Sequence, residues 1–277
     1  MDELLKHVQL NNGCFSSYSL NEQCKANQFF RHFHDSAEIL FMFDVQGEYV
    51  VESRKYQLAP FDLLLIKPSK YHYMILKDDT QYSRCVFNVS ADYLPNDLVT
   101  RAFSKGEFFH VGAASQITKN FQRIIEYRQT LDERDYKVVE RALLAEIMML
   151  VCMTDEEHNR DEFKYLDEFN SRVIKYIREN LTSITSLEQM ASDLYVSKST
   201  LYHSFKKAMK ISIMQYVRNK KVMYAHNLIQ NGVRPTKAYV LSGFEDYTTF
   251  YRSYKMFFGR SPGSSDNDVS ENPPSEL

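Results

Sequence analysis

His32-Phe33-His34 is followed after three intervening residues by Glu38, and His72 lies further along the chain. Residues two apart in a strand share a face, so His32 and His34 would project together. If the fold brought the three imidazoles and the carboxylate together, they would suit Fe(II), Mn(II), Ni(II) or Zn(II). A second group of residues is polar and basic: Lys198, Ser199, Tyr202, His203, Lys206 and Lys207, then Tyr247, Thr248, Tyr251, Arg252 and Lys255. A guanidinium such as that of Arg252 can donate two bonds to one guanine edge. No Gly-rich phosphate loop, nucleophile elbow or zinc-finger spacing occurs. Turnover at a metal needs acid or base groups around an open position, and no independent set of them is visible. No catalytic residue is therefore assigned, and the chain is expected not to be an enzyme.

Two kinds of element must position these residues. Up to about Val111 the chain reads as β: Ile39 to Val45, Tyr49 to Glu52, Leu63 to Lys67, Tyr71 to Leu76 and Ser83 to Val89 are short apolar runs divided by Gln46-Gly47, Ala59-Pro60 and Lys67-Pro68-Ser69. Many short, closely spaced strands predict a sandwich or barrel. Leu63-Leu64-Leu65-Ile66 lacks alternation and should be buried on both faces. From Ser115 to Met153 the period becomes helical, with Leu131-Asp132-Glu133-Arg134-Asp135 as a polar break between two helices. So much apolar surface must pack on the strands, on a second copy of the chain, or on both.

Thr154 to Asn170 is acidic and reads as an interdomain linker, in part helical. From Ser171 helical signals are continuous. Ser186 or Thr185 caps one helix, with Leu187, Met190, Ala191 and Leu194 inward. Tyr195-Val196-Ser197 forms a turn, and Ser197 caps the next helix, whose inner face is Leu201, Phe205 and Ala208. The arrangement repeats after a long helix from Met214 to Ile229. Pro235 opens a helix with Ala238 and Val240-Leu241 inside, Gly243 makes the turn at positive φ, and Asp246 caps a last helix buried through Phe250 and Tyr254. Two short helices joined by a tight turn, the second exposing polar and basic residues, fit a major groove.

Charge is divided in the same way. Ser171 to Pro262 carries 15 Lys and Arg against 5 Asp and Glu, whereas the remainder carries 19 against 31. This pairs a basic module for a polyanion with an acidic module of another role. There is no run of 18 apolar residues, so no membrane partner is expected. Cys14, Cys24, Cys85 and Cys152 form no C-x-x-C pair, and the start is not that of a secretory signal. Both features suit a cytoplasmic chain.

Ser186-Leu187-Glu188-Gln189-Met190-Ala191, Val196-Ser197 and Leu201 through Lys207 resemble the first half of the AraC/XylS family DNA-binding domain. Ser242-Gly243-Phe244-Glu245-Asp246, Phe250 through Gly259 and Ser261-Pro262 resemble its second half. His32 through Glu38, Gly47, Leu58-Ala59-Pro60-Phe61-Asp62-Leu63, Pro68 and His72 resemble the cupin-type sensor domain that precedes it in many of these regulators. The chain departs from the family pattern at Tyr195 and Phe61, where Gly is usual, and at Tyr239, where Ala is usual. Gly263-Ser264-Ser265 replaces an aromatic–Arg pair.

The resemblance implies an α+β chain of two domains. Residues 1–153 would be a cupin-like effector-binding and dimerisation domain, with a β-barrel to about 113 and a helical hairpin over 115–153. An acidic linker would follow over 154–170. Residues 171–262 would be an all-α domain with two helix-turn-helix units, and 263–277 a disordered tail. It implies that Ser199, Tyr202 and His203 face bases in one groove of double-stranded DNA, and Tyr247, Thr248, Tyr251 and Arg252 in the next. Lys198, Lys206, Lys207 and Lys255 would lie near phosphates. His32, His34, Glu38, Tyr49 and His72 would contact an effector such as a sugar, with no metal or other cofactor. The expected protein is a homodimeric transcription activator that contacts RNA polymerase. Three alternatives stay open. One is a transition metal on His32, His34, Glu38 and His72. Another is a metal-dependent cupin enzyme with an accessory basic domain. The third is a regulator answering to protein partners.

Overall fold

The computed structural model describes residues 13–24, 29, 31–77, 79–154, 163–165 and 167–264. They divide into two units, the first ending at Tyr165 and the second beginning with residue 166.

The first unit is built on two antiparallel sheets. Its strands are β1 (Cys14–Gln23), β2 (Ala37–Asp44), β3 (Gly47–Val51), β4 (Arg54–Leu58), β5 (Asp62–Ile66), β6 (His72–Leu76), β7 (Gln81–Val89), β8 (Phe108–His110) and β9 (Phe163–Tyr165). One sheet has the order β1-β7-β2-β5-β8 and the other β6-β3-β4-β9. Every residue of β5 is buried, as its unbroken apolar run requires. Leu63 and Leu65, with Ile39, Phe41 and Phe87, face a core shared with the helices α1 (Leu98–Lys105), α2 (Gln116–Thr130) and α3 (Glu133–Met153). Leu64 and Ile66, with Leu40 and Met42, face Tyr49, Val51, Tyr56 and Met74 of the second sheet. The central strands are thus covered on both sides, and Phe41 stacks on Phe121 of α2 at 4.2 Å.

Caps define the helical hairpin. The Ser115 hydroxyl accepts from the Thr118 amide, and the Asp132 carboxylate accepts from the Asp135 amide. The polar break is therefore shorter than expected, because α3 already starts at Glu133. The Glu140 carboxylate is buried on α3. It accepts from Tyr136 (2.6 Å), Lys137 (2.8 Å) and Tyr18 (3.2 Å), joining α3 to β1. Burial, then the Glu140 charge, pushes the neighbouring Cys14 thiol up to about 12. Cys14, Cys24 and Cys85 are buried and Cys152 half-buried, all unbridged.

The acidic linker needs correcting. Part of it is β9, which pairs with β4 (Arg54 with Tyr165, Tyr56 with Phe163). An edge strand offers unpaired backbone groups, and β9 satisfies those of β4. The linker's end is helical: α4 (Glu168–Asn180) starts at Asp167, whose carboxylate accepts from the Asn170 amide at 2.6 Å. Residues 155–162, like the tail from 265 onward, lie outside the described residues.

The second unit holds α4, α5 (Leu187–Asp193), α6 (Lys198–Met209), α7 (Ile213–Gln230), α8 (Pro235–Leu241) and α9 (Tyr247–Phe258). Ser186, Ser197, Ser212 and Asp246 each cap the helix that follows. Val240 and Leu241 do not point inward as expected, being 57% and 44% exposed. Helix α8 has only seven residues, and its inner face is met by Ala238 and Tyr239, the latter lying over Phe250.

Candidate functional site

The first helix-turn-helix is α5 and α6. The turn closes through Val196, whose amide donates to the Ala191 carbonyl at 2.9 Å, and Tyr195 takes φ 56°, a left-handed value. Its ring is 94% exposed, so it serves no core. Leu201, Phe205 and Met209 bury the inner face of α6, with Phe205 edge-on to Tyr216 of α7. This leaves Lys198, Ser199, His203, Lys206 and Lys207 exposed and Tyr202 half-buried. The Lys206 ammonium reaches the Tyr202 hydroxyl at 3.1 Å. Lys198 pairs with Glu188 at 2.9 Å, both exposed. Such a pair is worth little and exchanges readily for another anion.

The second is α8 and α9. Phe250, Tyr254, Phe257 and Phe258 turn inward, and the Tyr254 hydroxyl meets Nδ1 of the buried His226 on α7 at 2.7 Å. Tyr247, Thr248, Tyr251, Arg252 and Lys255 all lie exposed on the other side. The Thr249 amide and hydroxyl hold the capping Asp246 carboxyl below its ordinary value, with Arg252 adding a smaller contribution.

Helix α7 joins the two helix-turn-helix regions of the second unit through a residue that sequence reasoning missed. Lys221 is buried, and its ammonium donates to the carbonyls of Ile184 and Gly243, both at 2.6 Å. Ile184 precedes α5, and Gly243 is the turn of the second helix-turn-helix. Beside them is a cleft of about 250 Å³ lined by Thr185, Arg218, Lys221, Gly243 and Asp246 among others. A lysine inside an otherwise buried stripe was the available signal, but helix periodicity alone does not say which carbonyls it meets.

In the first unit, His32, His34, Glu38 and His72 come together, with their ligand atoms within 4.8 Å of one another. Glu38 sits on β2 and His72 opens β6, so the cluster lies between the two sheets. His32 and His72 form a backbone bridge, with hydrogen bonds of 3.2 and 3.1 Å. Tyr49 joins the cluster, its hydroxyl donating to Glu38 Oε1 at 3.1 Å. Glu38 Oε2 lies 3.1 Å from His34 Nε2 and 3.7 Å from His72 Nε2. Burial alone would raise the Glu38 carboxyl, yet His34 and His72 together hold it well below the usual carboxylate range.

Residues 18–149 match the AraC-like ligand binding domain, and residues 190–266 match a helix-turn-helix domain. The chain belongs to the AraC family. Its relatives include the Msm operon regulatory protein of Streptococcus mutans, 23% identical over 246 residues, or 86% of each chain. The melibiose operon regulatory protein of Escherichia coli is 19% identical, over 83% of this chain and 81% of that one. The XylDLEGF operon transcriptional activator 2 of Pseudomonas putida is 32% identical over 33% of this chain and 60% of its own. This AraC-family chain is accordingly a transcription regulator with a helix-turn-helix DNA-binding domain, and no helix among its described residues is long and apolar enough to cross a membrane.

Proposed function

We propose that the protein is a homodimeric activator that reads two adjacent major grooves and is controlled by a small polar effector bound in its first unit. The observation that carries the DNA reading is the pair of outward faces on α6 and α9. Each is capped and backed by aromatic packing. Ser199, Tyr202 and His203 on one, with Tyr247, Thr248, Tyr251 and Arg252 on the other, face bases. Lys198, Lys206, Lys207 and Lys255 lie near phosphates. Control follows by population shift, an effector favouring whichever arrangement binds it better. A sugar is supported by the operon name of the melibiose relative, and activation, which brings RNA polymerase as a partner, by the name of the Pseudomonas putida relative.

The test starts from a site selected out of random duplex DNA. On that site Arg252→Ala is expected to cost about 1–3 kcal/mol and to relax preference at one base pair. Lys207→Ala should weaken all sequences alike and reduce the salt slope by about one. An Arg252→Ala protein with unchanged affinity and preference would remove Arg252 from the base-reading set.

The homodimer has its own support on α3. Val138, Ala142, Ala145, Met149 and Cys152 recur at alternating spacings of four and three, the seam of a coiled coil. Val138 is 67% exposed and Met149 42%, although both are large and apolar. The double substitution Val138→Glu and Met149→Lys is expected to give a folded monomer by sedimentation equilibrium. Retention of the wild-type mass would exclude this face as the interface.

A further inference from the structure

We propose that the Arg84 guanidinium, which stands between the two sheets of the first unit, anchors a carboxylate carried by the small effector. This rests on the sensor reading above and narrows it to ligands with one negative charge, such as a sugar acid.

Alternation along β7 fixes where Arg84 points. Cys85, Phe87 and Val89 face the helices, while Tyr82 and Val86 face the second sheet. Arg84 shares the face of Tyr82 and Val86. Its register partner on β2 is Met42, which looks the same way. The guanidinium lies over the Phe29 ring at 4.7 Å and stands 5.8 Å from the Tyr82 ring. Burial, then the Glu38 charge, raises the Tyr49 hydroxyl well above its ordinary value, and Arg84 opposes them. The Arg84 charge is thus felt on β3, in the facing sheet.

What this cation lacks is an anion. Among the described residues no carboxylate pairs with Arg84, and its Nε is buried without a hydrogen-bond partner. A buried charge is ordinarily paired, because leaving it alone is costly. Arg54 of β4 shows the paired case, reaching Glu107 at 3.3 Å. The Glu38 carboxylate is already engaged, accepting from Tyr49 and lying 3.1 Å from His34 Nε2. Stacking on an aromatic ring covers a face of the guanidinium and leaves its N–H edge open. Nε and the adjacent Nη on that edge form a fork that matches both oxygens of one carboxylate. A single unneutralised guanidinium balances one negative charge, which favours a carboxylate over a phosphate dianion.

Acetate, acetamide and inorganic phosphate serve as the probes, each compared with chloride at equal ionic strength on the full-length protein. Acetate is expected to raise the melting temperature saturably, as a ligand of the native state does. Its neutral counterpart acetamide should bind about 10- to 100-fold more weakly, the worth of one charge-assisted pair. Arg84→Met should abolish the acetate response. Arg84→Lys keeps the charge without the fork and should weaken acetate binding about 10-fold, which keeps the test open if the methionine variant does not fold. An acetate response no different from that of chloride, or one unchanged in both Arg84 variants, overturns the anchor. Phosphate that binds more tightly than acetate, and loses that binding in Arg84→Met, overturns the carboxylate as the anion. A screen of neutral sugars by thermal shift runs alongside. A neutral sugar that stabilises the wild type and Arg84→Met alike, with acetate inert, overturns the acidic class and leaves the sensor reading standing.

Discussion

Gly243→Ala is expected to destabilise the second unit by about 3 kcal/mol and to remove tight binding to a full operator, the sum of an ordinary left-handed penalty and an overpacking cost. Gly243 has φ +80°, where an alanine is strained by its own Cβ. The larger part of the effect comes from what that Cβ would meet. It would fall 2.0 Å from the Thr182 carbonyl oxygen and 2.7 Å from the carbon atoms beside it. These are backbone atoms of the segment between α4 and α5, which cannot swing aside as a side-chain tip can. Relief requires moving that segment, and with it the start of the first helix-turn-helix. Gly232 provides the control, since it has φ +84° and nothing within 4 Å of its Cβ position. Gly232→Ala should therefore cost only about 1 kcal/mol, the conformational part alone. Calorimetry of the full chain measures both, and equal losses in the two variants would falsify the close approach at Gly243.

That contrast bears on what was legible in the sequence. Local rules worked where one residue type has one role. Ser197 and Asp246 are caps, Pro235 opens α8, and the even burial of Leu63 to Ile66 follows from their unbroken apolar run. The departures at Tyr195 and Phe61 show the backbone conformation outlasting the glycine. Both residues stand where the family pattern has Gly, and both adopt left-handed φ, 56° and 66°. Tertiary demand thus overrides a cost of roughly 1–2 kcal/mol at each.

What remained hidden depends on distant partners. No pattern in residues 163–165 announces a strand, because its pairing with β4 reaches back over a hundred residues in sequence. Val240 and Leu241 look like core by type, yet no neighbour of the short α8 among the described residues covers them. The Glu140 network likewise joins α3 to Cys14 and Tyr18 near the start of the described chain. For the histidine cluster the residue types were legible and the orientation of the rings was not. The carbonyls that fix the rings belong to Ser36 and Lys70, whose side-chain identities say nothing about where their backbone oxygens point.

Lys221→Met is the second substitution with a large expected effect, and its signature is on DNA binding more than on folding. The ammonium binds one carbonyl from each helix-turn-helix region, so it fastens α6 and α9 to a common axis. Desolvation pulls its pKa below the ordinary lysine value, with Glu245 opposing, so the charge is costly in place and its carbonyl partners offset that cost. Hydrogen bonds to a charged group contribute about 1.5–3 kcal/mol net, so losing this fastening is expected to cost about 2 kcal/mol of stability. Methionine keeps most of the apolar stem and removes the fastening. Two helix-turn-helix regions held rigidly engage the second groove at high effective concentration, and two loosened ones do not. Affinity for the full site should accordingly fall about 10- to 100-fold, while affinity for either half-site on a short duplex stays within about twofold. Equal losses on full and half sites would mean that Lys221 supports the fold of one unit and does not couple the two. Retention of full-site affinity would mean that α7 alone fixes the spacing of α6 and α9.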